Sequence, residues 1–519
     1  MRAAASLLLL FTTRALAQPA QIALPEIPAL ELPAGKTQLA PTDPPLRDLL
    51  AAATSGKLRI TNDLDHPIGQ GATRITWTAW EGQKNLATKA ATIFVLPTGM
   101  TPVGVSGDEN ATAANNATHI ARDADGHVHM VWVDSGRQGS RSGPVYRRAA
   151  VAPDGAVTLE TPPTYIAEPG PGDWNAYPTL AVSFNTVHAA WQGGGTLRTR
   201  VLLPTSNGPV WGTPRDTLVK SGGRDIGPAM AARVDDVHIV TPGGGHVMST
   251  NGGVSWKEDP MPLPPNGQAK TASVAIDPSG VVTVAFSFIV KPTANAAKNA
   301  GSGGYWQLRT IRRAKDGTWT GAADALAGLQ GWTEPPPTED ALADWVRVVA
   351  DLSGAIHLAW HGTGISHIYG NDLSYYAFKP ANGPLQAPIA LVPPDPKTGI
   401  KFSFAPGLAL DNTTAFALTF YDVYDGTKWL GFDSRLLRFR NGKPEGDPIQ
   451  VTDFVRRAID SKRPADTLSS RFPAPAATVT RGPDGQVWLD ILETLIPMGA
   501  PDAPKLIVYH RLNLAPQPN

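Results

Sequence analysis

Three arginines, Arg224, Arg347 and Arg471, each stand just before an apolar strand-like run, in alternate copies of a repeating unit. A guanidinium is a rigid fork of N–H donors, so several converging on one point suit a carboxylate. The same arginines read equally as solvated loop residues or as partners of Asp225 and Asp344. After the second strand of successive units come Asp134 and Arg137, Gln192, His361, Tyr421 to Asp425, and Glu493. Acid–base chemistry needs a carboxylate, phenol or imidazole within hydrogen-bond reach of whatever the arginines hold. Asp134, Tyr421 and Tyr424 meet that need by type. So do His119 and Tyr177, at near-equivalent places in neighbouring units.

Other histidines recur without pointing to chemistry. His129, His188, His238 and His357 fall at one place in the second strand. Equivalent positions in repeats imply packing or hydrogen bonding. His127 and His129 share a strand face, but no third ligand is apparent, so neither a metal nor any other cofactor is expected. Asp123-Ala-Asp125-Gly126 is read as a hairpin turn, since the later ligands of a calcium loop are missing.

The elements that must position these residues are short hairpins. Thr118 to Trp132 gives the pattern: a small apolar strand, an Asp-Gly turn, and a second apolar strand ending in an aromatic residue. Later copies end at Trp191, Thr241, Phe286, Trp360, Phe420 and Ile491, a period of about 60 residues. A second hairpin follows in six copies, marked by Gly pairs such as Gly252-Gly253, Asp316-Gly317 and Asn441-Gly442, which supply positive φ angles. Two hairpins make a four-stranded sheet, and seven sheets make an all-β, seven-bladed propeller, with six or eight blades as alternatives. The seventh copy has three obvious strands, and its fourth is expected from residues 57–96, which would close the ring.

One turn carries a family resemblance. Ser249-Thr-Asn251-Gly-Gly253-Val-Ser255-Trp256 resembles the Asp-box (BNR repeat) of sialidase-like β-propellers, with Asn251 in place of Asp. Asp316-Gly-Thr-Trp319 and Asn207-Gly-Pro-Val-Trp211 look like degraded copies. The resemblance implies a structural turn on the outer hairpin, in families of sialidases, other glycan-processing enzymes and binding proteins. It implies an arginine cluster for a substrate carboxylate, a tyrosine nucleophile (Tyr424 or Tyr421) and an acid (Asp134). The Arg-Ile-Pro motif of sialidases has its nearest match at Arg471-Phe-Pro473, in the last repeat; the first repeat has Thr118-His119. Polyuronate lyases on propellers resemble the chain in architecture, and that likeness casts His119 and Tyr177 as proton carriers. A non-catalytic binding or scaffold protein is the third reading.

Composition sets the destination. Met-Arg, an apolar run over residues 3–11 and Ala15-Leu-Ala17 form the pattern of a signal peptide over residues 1–17. The expectation is bacterial export to the periplasm or medium. Residues 18–56 are Pro-rich and read as an extended arm, with the propeller over 57–515. Lys+Arg and Asp+Glu are both 45, which argues against nucleic acid as a partner. There is no cysteine, so no disulfide framework is available. No segment is apolar enough to span a membrane. The partner expected is an acidic glycan or a small acidic ligand. Insertions at 291–304, 321–344 and 452–470, and the aromatics Trp174, Trp332, Trp345 and Trp429, are candidates for lining the mouth.

Overall fold

The structure, a computed structural model, describes residues 29–514 apart from 32–35, 53–58, 114–116, 136–141, 168–175, 221–226, 291–304, 325–342, 363–372, 394–399, 461–466 and a few shorter stretches. The signal-peptide segment, Arg137, Trp174, Arg224 and Trp332 therefore lie outside the described residues. Among the described residues the protein is nearly all β, and no helix is long and apolar enough to cross a membrane.

The hairpin repeats fold as consecutive antiparallel sheets of four or five strands. The first holds Ile120–Arg122, His127–Ser135 and Ser142–Val151, with Val157–Leu159 outermost. The second strand is buried on both faces in most sheets, as in Ile356–Gly362 and Thr414–Asp425. It is covered by a neighbouring sheet on each side, which explains its continuous apolar run. Each sheet's first strand also touches the first strand of the next, from Ala176–Ser183 to Ala229–Arg233, Gly267–Ile276, Ala343–Ala350, Ser403–Asp411 and Leu468–Pro475. The seventh sheet packs in turn on the first: Leu492, Ile507 and Tyr509 share a buried cluster with Ile120, Met130 and Trp132. Arg122 reaches across that junction and clamps the fully buried Asp490, with bonds of 2.9–3.0 Å.

The outer strand of the seventh sheet departs from expectation. It is Met100–Ser106, paired antiparallel with Lys505–Asn513. Residues 59–96 instead build a separate sheet from Arg59–Asn62, Gly71–Glu81 and Lys84–Leu96, with Ala29–Glu31 added in parallel. That sheet must cover both of its own faces. One face buries Ile75, Trp77 and Ile93 under helix α1, Pro44–Ala52, through Leu46 and Leu49. The other face, through Ala72, Phe94 and Leu96, packs on Leu468, Leu495 and Val508 of the seventh sheet. The Pro-rich segment thus contains a helix. Pro44 and Pro45 fit its first turn, where no backbone N–H is needed, and Asp43 precedes it with its carbonyl accepting Arg47 N–H at 2.8 Å.

The recurring histidines are structural. His129 is held between Tyr146 OH (2.8 Å) and Asp123 (3.0 Å), and His357 between Tyr376 OH (2.8 Å) and Asp351 (3.3 Å). His238 meets His246 at 3.0 Å. The turn at Ser249 is built by its side chains: Asn251 Oδ1 accepts Ser255 N–H and Ser249 Oγ accepts Gly253 N–H, both at 2.9 Å. Gly253 has φ +80°, and a Cβ there would come within 3.1 Å of His188 in the second sheet.

Candidate functional site at the rim between the sixth and seventh sheets

The site begins with a repeated defect in the innermost strands. Five of them slip register near their start, between Ala176/Thr179, Ala269/Ala272, Asp344/Arg347, Phe404/Gly407 and Arg471/Ala474. Four of these slips hold a side-chain-bearing residue at positive φ: Tyr177 (44°), Trp345 (54°), Ala405 (45°) and Phe472 (48°). Such residues cost on the order of 1–3 kcal/mol each, and persist only where the surroundings hold them. A bulge re-aims the chain, and here the re-aimed residues converge. Tyr177, Ala405, Phe420 and Phe472 form one apolar cluster with Trp345, Phe404 and Phe432 at its margin. Trp345 stacks on Phe472 at 5.2 Å.

The arginines expected to converge have different environments. Arg347 is interior: it is 5% exposed, and its Nη2 donates to Thr118 Oγ1 of the first sheet at 2.8 Å. Burial pulls its pKa down to about 10. Arg471 lies at the rim. Its guanidinium sits over the rings of Phe432 (5.5 Å) and Phe472 (5.6 Å), and meets Glu109 Oε1 at 3.4 Å. Its Nε is buried without a hydrogen-bond partner. Burial lowers its pKa, and the charges of Glu109 and Asp108 oppose that shift.

Beside Arg471 stands the long hairpin of Thr414–Asp425 and Lys428–Arg440. Its register sets Asp422 opposite Phe432 and Tyr424 opposite Trp429. Asp422 is buried and accepts Phe402 N–H at 2.8 Å. Tyr424 is partly exposed; burial raises its pKa, followed by the charge of Asp422 and the hydrogen bond between the two. Trp429, 41% exposed, packs edge-on against Phe432 at 5.3 Å. Arg471, Phe472, Phe432 and Trp429 thus form one chain of contacts, and the phenol bonded to a carboxylate lies on the strand paired with Phe432 and Trp429.

The remaining candidates are placed otherwise. Tyr421 is buried, with its hydroxyl at 2.8 Å from Gln450 Nε2, and burial raises its pKa. Asp134, half-buried, accepts Tyr165 OH at 2.8 Å. His119 is fully buried, with Nε2 against Ala113 O at 2.7 Å, and Tyr177 is buried in the apolar cluster. Glu493 is fully buried between Ser470 Oγ (2.6 Å) and His510 (3.0 Å). Sequence reasoning missed Phe432 and Glu109. Phe432 belongs to no motif, and Glu109 lies on the segment between Met100–Ser106 and the first repeat, outside the repeat pattern. Among the described residues, no group of three His, Asp or Glu side chains is arranged to hold a metal.

No family model matches the chain, and no curated protein matches it. Three solved structures illustrate its likenesses. The NanB sialidase of Streptococcus pneumoniae is 10% identical, with 86% of this chain and 84% of that one covered and a TM-score of 0.41. The α-L-arabinanase of Penicillium chrysogenum is 12% identical, over 79% of this chain and 98% of that one, with a TM-score of 0.36. The polysaccharide lyase Uly1 is 12% identical, over 79% and 92%, with a TM-score of 0.41. At such identities and TM-scores these likenesses say nothing of this chain's family or activity.

Proposed function

We propose that the chain is an exported, closed, seven-bladed propeller whose rim between the sixth and seventh blades binds a carboxylate-bearing glycan. Closure is supported by the strand Met100–Ser106, which completes the seventh sheet from the other end of the chain, and by the Arg122–Asp490 clamp from the first sheet to the seventh. One observation carries the binding reading. Arg471 lies against two aromatic rings with its Nε unsatisfied, and one of them, Phe432, packs on the exposed Trp429. A guanidinium fixed in this way offers its fork to a carboxylate, and an indole face covers the apolar face of a sugar ring.

Tyr424 and Asp422 add a proton-transfer pair. The raised pKa of Tyr424 keeps the phenol protonated at neutral pH, so it donates to Asp422 in the resting site. If the glycan is cleaved, Asp422 accepts the phenol proton as Tyr424 attacks the anomeric carbon, and Asp134 of the first sheet, which accepts Tyr165 OH, serves as acid to the leaving oxygen only in its protonated form. His119 and Tyr177 are interior, which makes elimination the weaker reading.

Calorimetric titration with oligogalacturonate and sialyllactose, against methyl-esterified counterparts, tests the proposal. We expect the acid forms to bind at least about tenfold more tightly, and Arg471→Ala to erase the difference. Equal binding of acid and ester would overturn it.

A further inference from the structure

Glu109 and Arg471 form an unequal pair. The Glu109 side chain is 50% exposed and that of Arg471 is 24% exposed, so the carboxylate lies on the solvent side of the guanidinium. Their 3.4 Å separation exceeds the roughly 2.7–2.9 Å of a charge-assisted hydrogen bond. The carboxylate therefore touches the fork without engaging it fully, and the Nε–H stays unsatisfied. Glu109 makes no other hydrogen bond or ion pair among the described residues.

The backbone beneath Glu109 is fixed. Asp108 N–H donates to Ser106 Oγ and Asn110 N–H to Asp108 Oδ1, both at 2.9 Å. Ala111 O accepts Val133 N–H at 2.9 Å, and Thr112 bonds Thr494 Oγ1 at 2.8 Å. Glu109 can leave Arg471 by rotating its side chain, with the loop staying in place. Asp108 cannot follow, because its carboxylate caps the turn.

We infer that Glu109 stands in for the ligand's carboxylate while the rim is empty, and that an acidic ligand displaces it from Arg471. The inference rests on the carboxylate-binding role proposed above for Arg471. Glu109 is then a specificity-setting residue. It keeps the guanidinium paired against stray anions, and it yields to a carboxylate that reaches the fork with two oxygens while its sugar ring gains the aromatic face. Affinity for acids is thereby held below what Arg471 alone would give.

The test is calorimetry on wild-type protein, Glu109→Gln and Arg471→Ala, with oligogalacturonate and its methyl ester as probes. Glu109→Gln is expected to tighten acid binding by about two- to fivefold, the range that loss of a half-exposed competing ion pair allows, and to leave ester binding unchanged. Arg471→Ala is expected to abolish the preference for acid. If acid binding depends on Arg471 but is unchanged or weaker in Glu109→Gln, Glu109 merely positions the arginine and the inference falls, while the carboxylate site stands. If neither wild type nor Glu109→Gln prefers acid to ester, both fall.

Discussion

His188 lies where the second sheet meets the Ser249–Trp256 turn of the third, and replacing it tests that packing. It is 1% exposed, and neither ring nitrogen has a hydrogen-bond partner. Burial alone pushes its pKa down to about 4, from an ordinary value of 6.5. Because the folded pKa is the lower one, the unfolded chain takes up the proton first. The resulting destabilisation is absent above pH 6.5, grows as pH falls, and is complete below about pH 4. At pH 4.5 these two values imply a cost of about 2–3 kcal/mol, against almost nothing at pH 7.5. In His188→Leu that cost disappears. The variant is expected to lose about 2–3 kcal/mol less stability than wild type between pH 7.5 and 4.5. It also sheds two unsatisfied buried polar atoms, which favours it slightly even at neutral pH. Urea unfolding followed by tryptophan fluorescence at both pH values reads the difference. His238 and His246, also shifted downward by burial, remain in both proteins and cancel in the comparison. Equal acid losses in wild type and variant would show that the ring is hydrated or partnered, and that the two sheets do not pack as described.

Two further perturbations probe the frame. A Cβ at Gly104 would collide with the Trp132 indole of the first sheet. Gly104→Ala is therefore expected to cost about 1–3 kcal/mol, read as a lowered Tm. Asp433 accepts the N–H groups of Val455 and Arg456 at the start of α2, Phe454–Asp460, and burial raises its pKa to about 7. Here the folded pKa is the higher one, so stability falls as pH rises from the unfolded value of 3.8 through about 7. Asp433→Asn should gain about 2–3 kcal/mol on wild type between pH 5 and pH 8, measured by urea unfolding.

The sheets were legible because the hairpin writes itself in residue types. Apolar strands such as His127 to Val133 must be covered on both faces, and the turns need Gly or Asn where φ is positive. The seventh sheet's outer strand was not legible, since Met100 to Ser106 lies outside the repeat and its pairing with Lys505 to Asn513 is set by tertiary contact. Helix α1 was hidden by prolines that read as extended chain, although Pro44 and Pro45 suit a helix start. Of the candidate site, Arg471 and Tyr424 stand at places that the repeat marks in the sequence. What separates Arg471 from Arg347 was not visible. Arg347 closes its register slip and Arg471 opens its own, so Arg347 bonds across to Thr118 while Arg471 meets Phe432 and Glu109. That distinction depends on neighbours distant in sequence.

The most direct measurement is a crystal structure of the protein with an oligogalacturonate bound. We expect a uronate carboxylate within hydrogen-bond distance of the Arg471 guanidinium, a sugar ring against Trp429, and the Glu109 side chain rotated away. A glycan seated elsewhere, with Arg471 still against Glu109, would contradict the account.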